Sequence, residues 1–185
     1  MDILEAIHSR LSVGKLRPDP VPRKLIEKLL DAAVQAPNHY KVRPWRFVVL
    51  TGDGRYRLGN LMANILFQKY PDLKTNALDK ERNKPLRSPL IIAIGVDKPT
   101  ESKVKELENI CAAAAACQNI LLAAHAYGLR AKWRTGDASQ DPLVKNFLGF
   151  TKDQYLIAFL YIGYPEMQME SYKRVGFEDR TTWME

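Results

Sequence analysis

The sequence predicts a mixed α/β protein with more helix than strand. Two apolar runs of strand length, 90–96 and 155–162, flank one long alanine-rich helical stretch, 106–127. So few strands, with helices this unevenly spaced, do not fit a regular doubly wound sheet. The 185 residues contain no internal repeat and no linker rich in Pro, Gly or Ser, so we expect one domain over residues 1–185.

Three helices are expected in the first half of the chain, each from apolar residues that recur at helical spacing. They cover residues 2–9, 22–33 and 56–70. Pro22 suits a first helical turn, and Pro37 marks the end of the second helix. The short apolar run 47–50 is closed by Thr-Gly-Asp-Gly, which indicates a strand ending in a turn. The polar segment 72–87 is expected to be a mobile, partly helical connection.

The second half carries the strongest strand pattern. Residues 90–96 form a continuous apolar run, which indicates a strand buried on both faces. The long helix that follows has Gly128 at its C-cap position. The polar tail 166–185 still contains Phe177 and Trp183, so we expect these two side chains to anchor it.

Composition and short motifs disfavour several classes of protein. The formal net charge is +7, but lysines and arginines are scattered among acids from Arg10 to Arg180. No basic run with interleaved aromatics and no zinc-finger spacing occurs, which disfavours a nucleic-acid-binding module. No Gly-x-Gly-x-x-Gly and no Walker-type loop occurs either, which disfavours a Rossmann dehydrogenase and a P-loop enzyme. No set of metal ligands is expected.

Cysteine usage and hydropathy indicate a cytoplasmic protein. Cys111 and Cys117 lie six residues apart in the expected long helix, and therefore on different faces, where they cannot bridge each other. Free thiols fit a reduced, cytosolic compartment. We find no run with the apolar length needed to span a bilayer, and no basic region followed by an apolar core at the N-terminus.

Residues 10–15, Arg-Leu-Ser-Val-Gly-Lys, follow directly after the first expected helix. The guanidinium of Arg10 could pair bidentately with a phosphate, and the hydroxyl of Ser12 could bridge nearby oxygens. The alternative is a solvated helix end with its cap. In the second stretch, 36–49, Ala-Pro leads through Arg-Pro-Trp into the expected strand, and a loop histidine, His39, is more often a plain surface residue. Trp45 is expected in the core.

Two further stretches lie late in the chain. Residues 128–136, Gly-Leu-Arg-Ala-Lys-Trp-Arg-Thr-Gly, follow the long helix and are interpreted as a turn and a loop. The alanine run 112–116 would let two helices approach closely, although helix propensity explains it equally well. Residues 161–165, Tyr-Ile-Gly-Tyr-Pro, end the last expected strand, and 173–178, Lys-Arg-Val-Gly-Phe-Glu, lie in the tail.

Together, these four stretches resemble the small, single-domain members of the nitroreductase family, in the family's order along essentially the whole chain. The first is similar to an Arg-Arg-Ser-Val-Arg signature, and the third to a Trp-x-(Ser/Thr/Gly)-Gly loop. The second is similar to Ala-Pro-Ser-x-x-Asn-x-Gln-Pro-Trp, with Asn38 in place of Ser, Lys41 in place of Asn and Arg43 in place of Gln. The last two changes make this loop more basic than the family pattern.

The resemblance implies a nitroreductase-like α+β fold, with a central, mostly antiparallel sheet flanked by helices. It implies a homodimer with exchanged segments, FMN at the subunit interface and the long helix in the dimer contact. The cofactor-binding residues that it implies are Arg10, Leu11, Ser12, Gln35, Asn38, His39, Lys41, Arg43, Trp133, Arg134, Thr135 and Arg174. Arg10 and Arg174 would hold the phosphate, and Ser12, Lys41 and Arg43 would lie near the phosphate or the ring edge.

The implied activity is FMN-dependent reduction of nitroaromatics, quinones or similar small oxidants, with NADH or NADPH as co-substrate. Hydride transfer would be ping-pong, and no catalytic side chain is expected because the flavin carries the chemistry. Two alternatives stay open: a flavoprotein of the same fold with other chemistry, such as dehalogenation or flavin fragmentation, and a flavin-binding sensor without turnover. The segment 58–86 is expected to face the substrate.

Overall fold

Four strands form an antiparallel sheet in the computed structural model, which describes residues 1–167, 172 and 174–185. The strands are β1 (Trp45–Leu50), β2 (Leu90–Val96), β3 (Arg130–Arg134) and β4 (Tyr155–Gly163). Their order across the sheet is β1-β2-β4-β3, so β2 and β4 are central and β1 and β3 form the edges. The predicted α+β class is therefore confirmed.

Seven helices surround this sheet in the described residues. They are α1 (Ile3–Ser9), α2 (Arg23–Val34), α3 (Gly52–Lys69), α4 (Thr75–Arg82), α5 (Glu106–Ala126), α6 (Asp137–Gln140) and α7 (Pro142–Phe147). Short 3-10 turns cover His39–Lys41, Lys84–Arg87 and Glu178–Arg180. With α4 and a 3-10 turn in it, the segment 72–87 is partly helical, as predicted.

The central strand β2 separates two cores. Leu90, Ile92 and Ile94 pack with α2 and α5 on one face of the sheet, while Ile91 and Ala93 pack with α3 and α7 on the other. Because successive side chains of a strand point to opposite faces, a strand covered on both sides must be apolar throughout. The continuous apolar run of the sequence reflects this double burial, and every residue of β2 is buried.

The long helix α5 lies against α2 and the sheet. Asn119 Nδ2 donates to the carbonyl of Ala32 at 3.0 Å, which joins the two helices. Gly128 follows the C-cap residue Tyr127 with a φ of +78°, so the predicted glycine stop is confirmed. By length and composition alone α5 could cross a membrane, contrary to the expectation that no run could, although one side of this helix packs against the core.

The start of α3 and the strand β3 differ from the predictions. The turn expected at 51–54 is the first turn of α3, in which Gly54 N–H donates to the carbonyl of Thr51. A β-turn and the first turn of a helix both have this hydrogen bond between residues i and i+3. The local sequence therefore does not distinguish a turn from the start of a helix. The loop expected after Gly128 contains the edge strand β3. The sequence did not indicate this strand, because charged residues with half-buried stems mask its apolar–polar alternation.

The cysteines are both free, as predicted: Cys111 is exposed and Cys117 is buried. Burial raises the pKa of the Cys117 thiol to about 12, so this thiol stays protonated at physiological pH. Trp45 is buried, which confirms its core assignment.

The predicted tail anchors do not reach the core of this chain. Phe177 and Trp183 are 62% and 78% exposed, and the expected apolar face of α1 is also uncovered, with Ile3 and Leu4 at 62% and 64%. Only Ala6 of α1 is buried. A single chain therefore leaves several large apolar side chains in solvent at its two terminal segments.

Candidate functional site

The segment after α1 lies along the free edge of β3. Ser12 faces Ala131 as a parallel bridge, and Val13 N–H donates to the Ala131 carbonyl at 3.3 Å. Leu11 and Val13 are buried, whereas Ser12 is exposed. Because side chains alternate along an extended segment, burying Leu11 and Val13 turns Ser12 outward.

Arg174 reaches this segment from the C-terminal tail. Its Nη2 donates to the Arg10 carbonyl oxygen at 2.8 Å. Burial and the positive charge of Arg174 lower the pKa of Arg10, in that order. Neither guanidinium has an ion pair with a carboxylate in the part of the chain that the structure describes. Lys173, its predicted neighbour in the tail motif, lies outside the described residues.

Lys132 adds a third cation at this place. The position that a Cβ would take on Gly14 is 3.9 Å from Lys132 Nζ, so the lysine side chain lies beside the 10–15 stretch. We call Arg10, Ser12, Lys132 and Arg174 the basic corner. Three cations and a hydroxyl near one edge of the sheet are the kinds of group that bind an anion such as phosphate.

The side chain of Trp133 lies in a different place from those of Arg134 and Thr135. The Trp133 ring packs on the α2–α5 side, and its Nε1 donates to the Ile157 carbonyl at 3.1 Å. Its side chain is therefore engaged within the protein and does not line the cavity that Arg134 and Thr135 share. The Arg134 guanidinium lies over the Tyr161 ring, 5.3 Å from the ring centroid.

Arg134 and Thr135 line a cavity of about 250 Å³ between α3, the β3–α6 turn and β4. Leu58 and Met62 of α3 form part of its apolar wall, and Tyr161 also lines it. Burial raises the pKa of Tyr161 to about 12, although Arg134 acts in the opposite direction, so the phenol stays protonated. A larger cavity of about 530 Å³, between α2 and the start of α3, contains none of the predicted site residues.

The remaining predicted residues lie in the loop after α2. Gln35 is the C-cap of α2, and Asn38 Oδ1 accepts a hydrogen bond from Arg43 N–H at 2.8 Å. Tyr40, Lys41 and Arg43 have φ values of 49°, 56° and 50°. Residues other than glycine seldom adopt this left-handed conformation, and such strain clusters at functional sites. Lys41 and Arg43 are exposed.

The basic corner and this loop lie at opposite ends of α5. His39 Nδ1 is 3.6 Å from the carboxylate of Glu108 near the start of α5, whereas Ser9, next to Arg10, contacts His125 near its end. Glu108 and His125 are 17 residues apart, or about 25 Å at the α-helical rise. A single chain therefore does not bring the twelve predicted residues together.

Sequence reasoning did not select Lys132, Tyr161 or His125 as site residues, although each lies near the basic corner or lines the 250 Å³ cavity. Lys132 would have followed from reading 130–134 as a strand, since it alternates with the buried Ala131 and shares a side with Arg130 and Arg134. His125 lies in a helix whose alanine-rich sequence gives no sign of a polar site.

Comparison with known proteins gives consistent matches. The family model described as Nitroreductase family matches residues 7–164. The chain is 32% identical over 169 residues to YdjA of Escherichia coli K12, assigned by its name to the NAD(P)H nitroreductases, and the match covers 91% of each protein.

Two solved structures share the fold. A nitroreductase-like family protein from Bacillus cereus superposes with a TM-score of 0.85 at 25% identity, covering 100% of this chain and 97% of that one. A protein from Desulfovibrio desulfuricans, named as a nitroreductase and solved in complex with FMN, has a TM-score of 0.78 at 24% identity, covering 100% and 98%. The likeness runs along the whole chain and is not confined to one motif.

Proposed function

The chain belongs to the nitroreductase family, and from this premise we propose that it is an oxidoreductase that binds FMN. In this proposal it takes reducing equivalents from NADH or NADPH and passes them to a small oxidant such as a nitroaromatic or a quinone. The observation that carries the proposal is the basic corner, where Arg10 and Arg174 are in contact without an acidic partner among the described residues.

The residues of the basic corner fit the phosphate group of FMN. Burial and a neighbouring cation both oppose the charge on Arg10, and a bound dianion would offset both. Guanidinium groups bind phosphate with two parallel hydrogen bonds, and the exposed Ser12 hydroxyl could donate another. The corner is also built partly from backbone that packing holds in place, since Leu11 and Val13 are buried on either side of Ser12.

Bound FMN would supply the hydride chemistry. The protein itself would then have to bind the cofactor, orient the reactants and exclude water. Arg134 and Thr135 would bind the ring at the mouth of the 250 Å³ cavity. Leu58 and Met62 would exclude water from its apolar wall. The oxidant would take the place that the nicotinamide has left, which predicts ping-pong kinetics.

The complete site needs two chains in this proposal. The loop carrying Gln35, Asn38, His39, Lys41 and Arg43 is about 25 Å from the basic corner along α5. A homodimer that pairs the outward face of α5 would bring the loop of one subunit to the corner of the other. The exposed apolar residues of α1 and the tail support such an interface, because large exposed apolar patches mark association sites.

The proposal also places the protein in the cytoplasm, which its free cysteines support. Neither nucleic acid nor membrane is a partner in it. The experiment described next distinguishes this proposal from its two alternatives, which are another chemistry on the same fold and a sensor without turnover.

The test is anaerobic reduction of the purified protein followed by a panel of oxidants. We expect a yellow protein that releases FMN on heating, is bleached by NADH or NADPH and regains its colour with a quinone or nitroaromatic. Bleaching without recovery by any oxidant would favour the sensor. A colourless protein that binds no added FMN would overturn the proposal.

A further inference from the structure

His125 is a buried polar side chain that the proposed function does not use. It lies near the end of α5 with 4% of its surface exposed. Its Nε2 is 2.7 Å from the Ser9 hydroxyl oxygen, which joins the last residue of α1 to α5. Its Nδ1 is buried without a hydrogen-bond partner in the described part of the chain.

The hydrogen bonds of Ser9 fix the tautomer of this histidine. The Ser9 hydroxyl donates its only proton to the Glu5 carbonyl at 2.6 Å. The Ser9 oxygen can therefore only accept from His125, so Nε2 carries the proton and donates it. The charged groups that face the ring, Arg130, Arg10 and Glu5, include two cations, and burial together with these cations lowers the pKa of His125.

This hydrogen bond acts at the start of the basic corner. α1 is seven residues long and buries only Ala6, so apolar packing holds it weakly. Arg10 follows Ser9 directly, and its N–H closes the last turn of α1 on the Ala6 carbonyl at 3.1 Å. The position of Ser9 therefore sets where the Arg10 side chain begins.

We propose that His125 is a positioning residue for phosphate binding: it donates to Ser9 and so holds Arg10 in the basic corner. This inference rests on the proposed function, because its ligand is the FMN phosphate. His125 itself contacts Ser9 rather than the cofactor and takes no part in hydride transfer. The neutral ring suits the role, because a proton on Nδ1 would add a buried positive charge next to the half-buried cations Arg10 and Arg130.

The test compares FMN with riboflavin, which lacks the phosphate, in fluorescence titrations of the apoprotein. The variants are His125→Leu, which removes the donor, Ser9→Ala, which removes the acceptor, and His125→Gln, whose amide can still donate. We expect FMN to bind about tenfold more weakly to H125L and S9A, and nearly normally to H125Q. Riboflavin affinity should change by less than about twofold in all three.

Each other outcome decides against the inference. If H125L and S9A weaken FMN and riboflavin equally, the histidine supports the fold in general and does not position Arg10. If FMN binds to both variants as it does to the unaltered protein, the hydrogen bond is irrelevant to the site. S9A keeps the histidine in place, so it tests the hydrogen bond even if H125L folds poorly. Melting temperatures measure whether either variant is destabilised. If the unaltered protein binds neither ligand, the proposed function fails first.

Discussion

Arg10 and Arg174 are 164 positions apart in the sequence, yet the guanidinium of one donates to the carbonyl of the other at 2.8 Å. The positive charge of Arg174 also lowers the pKa of Arg10, after burial, and a bound anion would offset this repulsion. Here Arg10 is held by its place after α1, while Arg174 comes from an exposed tail. Arg174 is therefore the residue whose removal should cost phosphate binding and least disturb the fold.

We predict that Arg174→Gln weakens FMN binding about ten- to a hundredfold, because hydrogen bonds to charged groups contribute roughly 1.5–3 kcal/mol each. Titration of the apoprotein with FMN measures this change. Arg180→Gln is the matched control, since Arg180 lies in the same tail and pairs with Asp179 at 3.2 Å. Unchanged FMN affinity in R174Q would remove Arg174 from the phosphate site.

His125 supports a second prediction at the residue scale, on stability against pH. Its pKa is lowered in the folded protein, so below pH of about 6.5 the unfolded chain binds the proton more readily. The free energy of unfolding of the apoprotein should therefore decrease as pH falls below that value. Urea unfolding at a series of pH values measures the decrease, and H125Q should flatten it. An identical pH profile for H125Q would assign the effect to other groups.

At the scale of elements, α5 runs between the basic corner and the loop after α2, and it has an uncovered side. Leu107 is 68% exposed and Cys111 is exposed one turn further on, while Leu122 is half-buried on the same side. The opposite side of α5 packs on α2 and the sheet. A helix with apolar residues all round is typical of burial on every side, which supports the proposed pairing with a second copy.

We predict that Cys111→Arg converts a dimer into a monomer, because it places a charge in an interface that excludes water. Light scattering measures the mass, and absorbance measures the FMN retained, which should fall with it. Asn64→Arg is the control, since Asn64 is exposed on α3, on the face of the sheet opposite α5. A monomeric C111R protein that keeps FMN normally would show that one chain suffices.

The loop after α2 is the other element that distinguishes this chain. Three left-handed residues other than glycine cost roughly 1–2 kcal/mol each, and the Asn38 side chain helps to hold them through its bond to Arg43 N–H. Folded chains keep such strain where surrounding contacts over-determine it, and often where function needs the geometry. The loop presents Lys41 and Arg43, the two positions at which the sequence is more basic than the family pattern.

At the scale of the whole molecule, a site shared between subunits makes a prediction that a site within one chain does not. One variant, R10Q/R174Q, would damage the basic corner, and another, K41E/R43E, would damage the loop. In a symmetric dimer each mixed pair would hold one intact site and one doubly altered site. Co-refolding equal amounts of the two inactive variants should therefore restore about a quarter of the FMN sites.

FMN content and turnover of the mixture measure this recovery, with each variant refolded alone as the control. The recovery should require subunit exchange, so mixing the two folded dimers without denaturant should restore less. A mixture as inactive as its two components would mean that the corner and the loop of the same chain act together, which contradicts a shared site. A K41E/R43E variant that is active by itself would show that the loop takes no part.

Patterns within a few residues predicted a large part of this fold from sequence alone. The burial of β2 on both faces, the glycine stop of α5 and the core position of Trp45 all follow from local periodicity or composition, and the structure has each of them. The four motifs also identified the family, because they depend on residue types at fixed short spacings. The start of α3 and the strand β3 were missed, since turn geometry and half-buried charged stems leave the local pattern ambiguous.

Only the tertiary structure decided how the predicted residues are distributed. It joins Arg174 to Arg10, sets Lys132 beside Gly14 and anchors Ser9 on His125, all through contacts between residues far apart in sequence. It also separates the loop at Lys41 from the corner at Arg10 by most of the length of α5. Local chemistry fixes which residues can bind an anion, but long-range packing fixes which of them can bind the same one.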